Sequence, residues 1–296
     1  MKREGNEKKE RTGILSNPVW QLTAAGVVCL VVLIAVLIPH KGASAAAGKG
    51  SAEESVPTLT HTLTGIDRGP LVLVDATHPQ SRAACNAAGS ECLPAGWHAA
   101  SGYAIGGASI RLSPLAQMQL DRMILDYSGG NASYSVPCVV SGYRDFAAQE
   151  KSGIAPGTDP AGTGYAFTLS LCVPQGDLMT VVPLGNPLAQ SFSAWLSSHA
   201  ASYGFTFGSG GALRYVGIPH AAYLVRRSLS LSEYIAEISK KTQTAPLLVE
   251  AAGVTYSIFA VEADKNGEAT LTLPESAVYA VSGTNEGFFV VTVRSN

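Results

Sequence analysis

Residues 136–151 read VPCVVSGYRDFAAQEK, and the pattern changes half-way along. Val136 to Ser141 is a short apolar run rich in β-branched residues, which suits a buried strand, whereas Arg144 to Lys151 reads as a short helix. Downstream, Tyr165 to Val173 (YAFTLSLCV) is a second strand able to pair with the first. Upstream, Ser113-Pro114 supplies an N-cap and a proline at the first helical position. Leu112, Ala116, Leu120, Met123 and Tyr127 then recur at helical spacing until Gly129-Gly130. Leu71 to Val74 reads as a further buried strand, and Phe192 to Tyr203 as a helix with Phe192, Trp195, Leu196 and Ala200 inward. Ser230 and Glu233 form a capping box at the start of the last helix. Strands and helices mixed in this order give an α+β core.

From Pro246 the pattern alternates as strands, PLLVEAAGVTYSIFAVEA, ATLTLP, YAVSG and FFVVTV, separated by Gly253, Asp264 to Gly267 and Asn285 to Gly287. These are hairpin signals, so a C-terminal β meander is expected, as a small second domain or as a sheet added to the first.

The chain has 296 residues with 20 Lys plus Arg against 22 Asp plus Glu, a net charge of -2. With 14% charged residues there is no basic surface to suit nucleic acid. Residues 24–38 are unbroken apolar or glycine, and residues 20–40 make a helix of about 30 Å, one bilayer core. Lys2, Arg3, Lys8, Lys9 and Arg11 precede it, which places the amino terminus in the cytoplasm and the body outside. The alternative is a cleaved signal ending near Ala43-Ser44-Ala45; either way the body is exported. The expected layout is a cytoplasmic tail (1–19), an anchor (20–40), a flexible linker (41–58), a core (59–243) and a β module (244–296). Of five cysteines, Cys29 lies in the span. In an oxidising space Cys85 could bond Cys92 and Cys138 could bond Cys172; four buried thiols are the alternative.

Ser141-Gly142-Tyr143-Arg144 with Gln149 resembles the SGYR...Q signature of the VanY-type zinc D-alanyl-D-alanine carboxypeptidases. Trp195-Leu196 leading to Tyr203-Gly204-Phe205, then Arg214-Tyr215-Val216-Gly217 and Leu231-Ser232-Glu233-Tyr234-Ile235 resemble further blocks of that family in the same order. Tyr279 to Asn285 and Gly287 to Val293 resemble a tail of some extracytoplasmic members. The resemblance implies a VanY-type peptidase core, one zinc, and removal of the terminal D-alanine from peptidoglycan stem peptides. It implies zinc ligands from an SxHxxGxxxD block and from a histidine just before RYVG, with a glutamate as general base. Those positions fall here on Ala161, Thr168, Ala212 and Ser209. Methyl groups and hydroxyls do not make a catalytic zinc site, which needs three protein ligands and a base. The reading is therefore a pseudoenzyme that needs no cofactor and binds stem peptide, or regulates a cell-envelope protein, through Ser141, Tyr143, Arg144 and Gln149. The alternatives are an active zinc carboxypeptidase with other ligands and a structural envelope protein. Arg144 has a competing role as an ion-pair partner of Asp145 or Glu150, and Asp159 is a lone carboxylate. No two of the six histidines have metal-site spacing, and no SxxK or GxSxG motif occurs.

Overall fold

A computed structural model describes residues 57–96, 102–130 and 135–295 of the chain. The expected tail, anchor and nearly all of the linker lie outside them, and no helix of the described residues is long and apolar enough to cross a membrane. In chain order the first half comprises β1 (Thr58–Leu63), α1 (Arg82–Glu91), β2 (Leu93–Pro94), β3 (Ala104–Ile105), β4 (Arg111–Leu112), α2 (Pro114–Gly130), β5 (Val136–Ser141) and α3 (Phe146–Lys151). There follow β6 (Ala166–Gln175), β7 (Leu178–Pro183), α4 (Gln190–His199), β8 (Phe205–Phe207), β9 (Ala212–Tyr215), α5 (Ile218–Arg227) and α6 (Leu231–Ile238). The last strands are β10 (Leu247–Ala251), β11 (Val254–Glu262), β12 (Ala269–Pro274), β13 (Val278–Gly283) and β14 (Phe288–Arg294).

The core sheet runs β3-β5-β6-β9-β8, with β7 also on β6. β5 and β6 pair antiparallel, as their patterns suggest. The stripe Leu112, Ala116, Leu120, Met123 and Tyr127 is buried, and it joins Val139, Phe167, Leu169, Phe192 and Leu196 in one cluster between sheet and helices. Side chains facing a common interior are what convert the helical period into a fixed layer, each fully buried one contributing about 1.5 to 3 kcal/mol.

The second sheet has the order β10-β11-β14-β13, so the last strands do not form a simple meander. β12 leaves this sheet to pair with β1, from Thr58↔Pro274 to Leu63↔Ala269. Its alternate residues Ala269, Leu271 and Leu273 are buried and lay the ribbon on the sheet. The opposite face packs on α5 and α6. β14 shows both contacts: Phe288 and Val290 face the helices, Phe289 and Val291 the ribbon. A strand covered on both faces reads as a continuous apolar run, which is why FFVV does not alternate.

Leu71 to Val74 is buried, yet it forms no strand. Its backbone is satisfied by other means: Leu71 N donates to Ser282 Oγ at 3.0 Å and Leu73 N to Thr284 O at 2.9 Å. The carbonyls of Pro70 and Val72 both accept from Arg214 Nη2. Burial lowers the Arg214 guanidinium to about 10 and leaves it a cation that ties this segment to β9. The capping box is present, with Glu233 N donating to Ser230 Oγ at 3.2 Å and Ser230 N to Glu233 Oε2 at 2.8 Å. His220 is buried between Tyr234 Oη at 2.6 Å and Thr292 Oγ1 at 3.0 Å, which joins α5 to α6 and to β14. Desolvation lowers its imidazole to about 3, so it packs as a neutral brace.

The four cysteines of the body are buried free thiols, not disulfides. Cys85 and its expected partner Cys92 lie seven residues apart on α1 and its C-cap, about 10 Å along a helix axis and beyond disulfide reach. The β5–β6 register pairs Val136 with Cys172 and Cys138 with Ser170. Cys138 and Cys172 are thus diagonal neighbours in the ladder whose thiols meet side by side as free thiols.

Candidate functional site

β5 ends with a register shift between Val139 and Ser141, and the chain then turns closely past β4. A Cβ on Gly142 would lie 2.5 Å from Arg111 O and 2.9 Å from Leu112 Cδ2, so glycine is required by the approach. Tyr143 N donates to Arg111 O at 2.8 Å. Its ring reaches α1, where the phenol donates to Cys85 O at 3.0 Å and occupies the space that a Cβ on Gly89 would need. Burial raises this phenol further above its usual range.

Asp145 caps α3 by accepting from Ala148 N at 2.7 Å, and the helix places Gln149 underneath the turn. Gln149 is fully buried; its Nε2 donates to Arg144 O at 3.0 Å and its Oε1 accepts from Gly157 N at 2.7 Å. Both ends of this amide hold backbone, so Gln149 braces the loop and does not present itself to a ligand. Gln80, which sequence reading passed over, continues the brace: its N–H donates to Gly157 O at 2.8 Å.

The guanidinium of Arg144 is aimed at neither Asp145 nor Glu150. Its Nη1 meets Asp159 Oδ2 at 2.9 Å, with Arg144 one-third exposed and Asp159 nearly buried. Asp159 Oδ1 also accepts from Ala161 N at 2.9 Å and caps the short turn Pro160–Thr163. The sequence signal for this role is the Asp-Pro step, a cap followed by a proline at the first position of a turn. The other guanidinium nitrogens of Arg144 have no partner among the described residues.

Beside this turn lie β6 and β9. Ser141 on β5 pairs with Thr168 on β6, and Thr168 pairs with Ala212 on β9. Ser141 Oγ donates to Thr168 Oγ1 at 2.8 Å. Ala161 is buried, and its carbonyl accepts from Arg144 N at 3.4 Å. Ser209 opens the turn Ser209–Gly211 that leads into Ala212. Gly211 lies at φ +83, and a Cβ there would meet Leu169 O at 2.1 Å, so the turn is pressed onto β6. The fold thus sets Ser141, Thr168 and Ala212 in one row, with Ala161 beside Arg144.

A D-alanyl-D-alanine carboxypeptidase of Enterococcus faecium is 25% identical over 259 residues, which span 81% of this chain and 80% of that protein. The crystal structure of the vancomycin-resistance D,D-dipeptidase VanXYg, in complex with a D-Ala-D-Ala phosphinate analogue, aligns at TM-score 0.62 and 24% identity. It covers 81% of this chain and 100% of that one. The chain is similar in sequence to this D-alanyl-D-alanine carboxypeptidase and shares the fold of VanXYg. No protein-family model matches it. VanYB in complex with D-alanine-D-alanine aligns less closely, at TM-score 0.37 and 18% identity over 56% of this chain.

The VanY-type blocks call for zinc, and the residues present do not fit it. Ala161, Thr168, Ala212 and Ser209 offer two methyl groups and two hydroxyls, none of them a usual zinc donor. No three His, Cys, Asp or Glu side chains converge on a metal-sized space among the described residues. The nearest sulfurs are behind the turn: a Cβ on Gly162 would lie 3.3 Å from Cys85 Sγ, and one on Gly164 2.4 Å from Cys92 Sγ. Burial raises both thiols, Cys92 to about 12, so they remain protonated.

Proposed function

We propose that this chain is a membrane-anchored, extracytoplasmic pseudoenzyme that binds the D-alanyl-D-alanine end of a peptidoglycan stem peptide without cleaving it. The observation that carries this reading is the split within the cleft. By the sequence resemblance, the family's three ligand positions and its base position fall on Ala161, Thr168, Ala212 and Ser209, whereas Arg144 is one-third exposed and keeps guanidinium N–H groups without a partner among the described residues. A planar cation with free donors suits a peptide carboxylate, which it can grip by two parallel hydrogen bonds. Ser141 Oγ, having donated its proton to Thr168, retains lone pairs for a peptide N–H. The names of the Enterococcus carboxypeptidase and of the dipeptidase bound to a D-Ala-D-Ala analogue support this ligand class. Anchoring and export rest on the apolar stretch of residues 24–38 and the basic residues before it.

Calorimetric titration of the full-length chain with a pentapeptide ending in D-Ala-D-Ala tests the reading. Binding without release of D-alanine is expected, and Arg144→Ala should weaken it by about 10- to 100-fold, the worth of one charge-assisted hydrogen bond. Stoichiometric zinc together with D-alanine release would establish the active carboxypeptidase instead. Equal binding by wild type and Arg144→Ala would remove Arg144 from the site, and no binding by wild type would favour a structural role.

A further inference from the structure

β7 is an edge of the core sheet, paired with β6 on one side only. Of the eight large apolar side chains that stand exposed among the described residues, four fall on β7 or just after it, at Leu178, Met179, Val181 and Leu188. Exposure is therefore concentrated here and not scattered. The hairpin fixes which backbone groups face outward. Gln175 and Leu178 close it across Gly176-Asp177, with Gly176 at φ +62 in the first turn position, as a type II′ turn requires. Such a closing pair is hydrogen-bonded, so by alternation Met179 and Val181 aim their N–H and C=O groups away from β6. Those groups find no partner among the described residues. Other edges are guarded: Arg226 Nη2 donates to Glu250 O on β10 at 2.9 Å, and Gln243 Nε2 to Thr272 O on β12 at 2.9 Å. β7 itself carries no charged residue.

We infer that β7 is the edge through which two copies of this chain pair, antiparallel about a two-fold axis at Thr180. Unpaired peptide groups and exposed apolar side chains lie on one strip, and a β-strand satisfies both, because it returns backbone hydrogen bonds and covers side chains on either face. The segment Leu178-Met179-Thr180-Val181-Val182 has the same pattern of residue types in both directions, so an antiparallel copy matches it. In that register Thr180 falls opposite its own copy, Met179 opposite Val181 and Leu178 opposite Val182, all uncharged. Asp177, at the turn, falls opposite Pro183 and about 20 Å from its own copy, so pairing opposes no like charges. Pro183 has no N–H to offer and ends the strip. A lipid surface suits this edge less well, since hydrocarbon leaves the Met179 and Val181 peptide groups unsatisfied. No residue of β7 belongs to the Arg144 site, so the pairing stands or falls separately from the peptide-binding proposal.

Sedimentation equilibrium of the full-length chain in detergent micelles tests the pairing. One short strand buries less than the standard interface of about 1,600 Å², so a weak dimer is expected, half-formed in the micromolar range. Val181→Lys sets two ammoniums about 8 Å apart on one face and should weaken the dimer at least about tenfold. The exposed position of Val181 leaves the melting temperature unchanged. Thr180→Cys gives an independent reading, because facing positions in a non-hydrogen-bonded pair lie close enough for a disulfide. With oxidised glutathione this variant should link copies covalently, and Ser198→Cys, exposed on α4, should not. A wild type that stays monomeric at about 100 µM, undiminished association in Val181→Lys, or linking by Thr180→Cys no greater than by Ser198→Cys would each overturn the assignment.

Discussion

The β5–α3 segment and the neighbouring β6–β9 strands carry adjacent parts of the candidate site, yet they are built on different terms. On the first side the motif residues are tied into the fold: Gly142 clears Arg111 O, Tyr143 bonds Cys85 O, and Gln149 holds Arg144 O and Gly157 N. On the second side Thr168 and Ala212 stand in register, and of the two only Thr168 makes a side-chain hydrogen bond, to Ser141. Gly142, Tyr143 and Gln149 are therefore explained by folding, and only Arg144 and Ser141 carry that side's binding argument. Frame and chemistry are separable here because backbone pairing fixes the first and side chains supply the second.

The contrast can be broken outright by rebuilding the bare wall. Ala161→His, Thr168→Asp and Ala212→His, made together, should convert a chain without a zinc site into one that retains one zinc after dialysis, because three ligands with an open position suffice for that metal. Metal analysis of the triple variant against wild type reads the change. Failure to take up zinc, in a variant that still folds, would mean that these three positions do not face a common point. Adding Ser209→Glu then asks whether the turn before β9 still delivers a base, with D-alanine release as the measure.

The braced wall makes a stability prediction of the next size. Gln149→Ala removes both partners of a fully buried amide and strands Arg144 O and Gly157 N, so about 3 kcal/mol should be lost. Urea unfolding would show it as a lower midpoint with an unchanged slope. Arg144→Ala, by contrast, breaks a partly exposed ion pair and should cost under about 1 kcal/mol. If the two variants were equally stable, Gln149 would not be the brace that its contacts describe.

Much of this arrangement was legible in the sequence where a local rule governed it. β5, β6, α2, the cap at Ser230 and the strands after Pro246 follow from period, capping and turn residues. What escaped was set by distant partners. Leu71 to Val74 has a strand's composition, but Arg214, Ser282 and Thr284 satisfy its backbone, and no short-range pattern announces them. β1 was unread because Thr58 to Leu63 becomes a strand through β12, more than 200 residues away. The disulfides were misjudged through the same limit. Cys85 and Cys92 sit in a stretch of Ala, Gly and Asn that resembles a loop, and Ser81 caps it into α1 by accepting from Ala84 N at 3.1 Å. The pairing of Arg144 with Asp159 escaped as well, because it required the turn that brings them together.

That pairing supplies the smallest and most discriminating test of the comparison. Asp159 has two tasks, a cap through Oδ1 on Ala161 N and an ion pair through Oδ2 on Arg144 Nη1. Asp159→Asn keeps an acceptor for the cap and deletes the charge, so the turn Pro160–Thr163 should stay folded. If Arg144 binds a peptide carboxylate, Asp159 is its internal competitor, and removing that negative charge should raise affinity for a D-Ala-D-Ala peptide by a few-fold. Added salt should narrow the difference between wild type and variant, since the competition is partly exposed and screened. Titration at two ionic strengths reads both effects. Weaker binding in Asp159→Asn would reverse the assignment: the carboxylate would then be holding the guanidinium in place for the ligand, and Arg144 and Asp159 would form one binding unit.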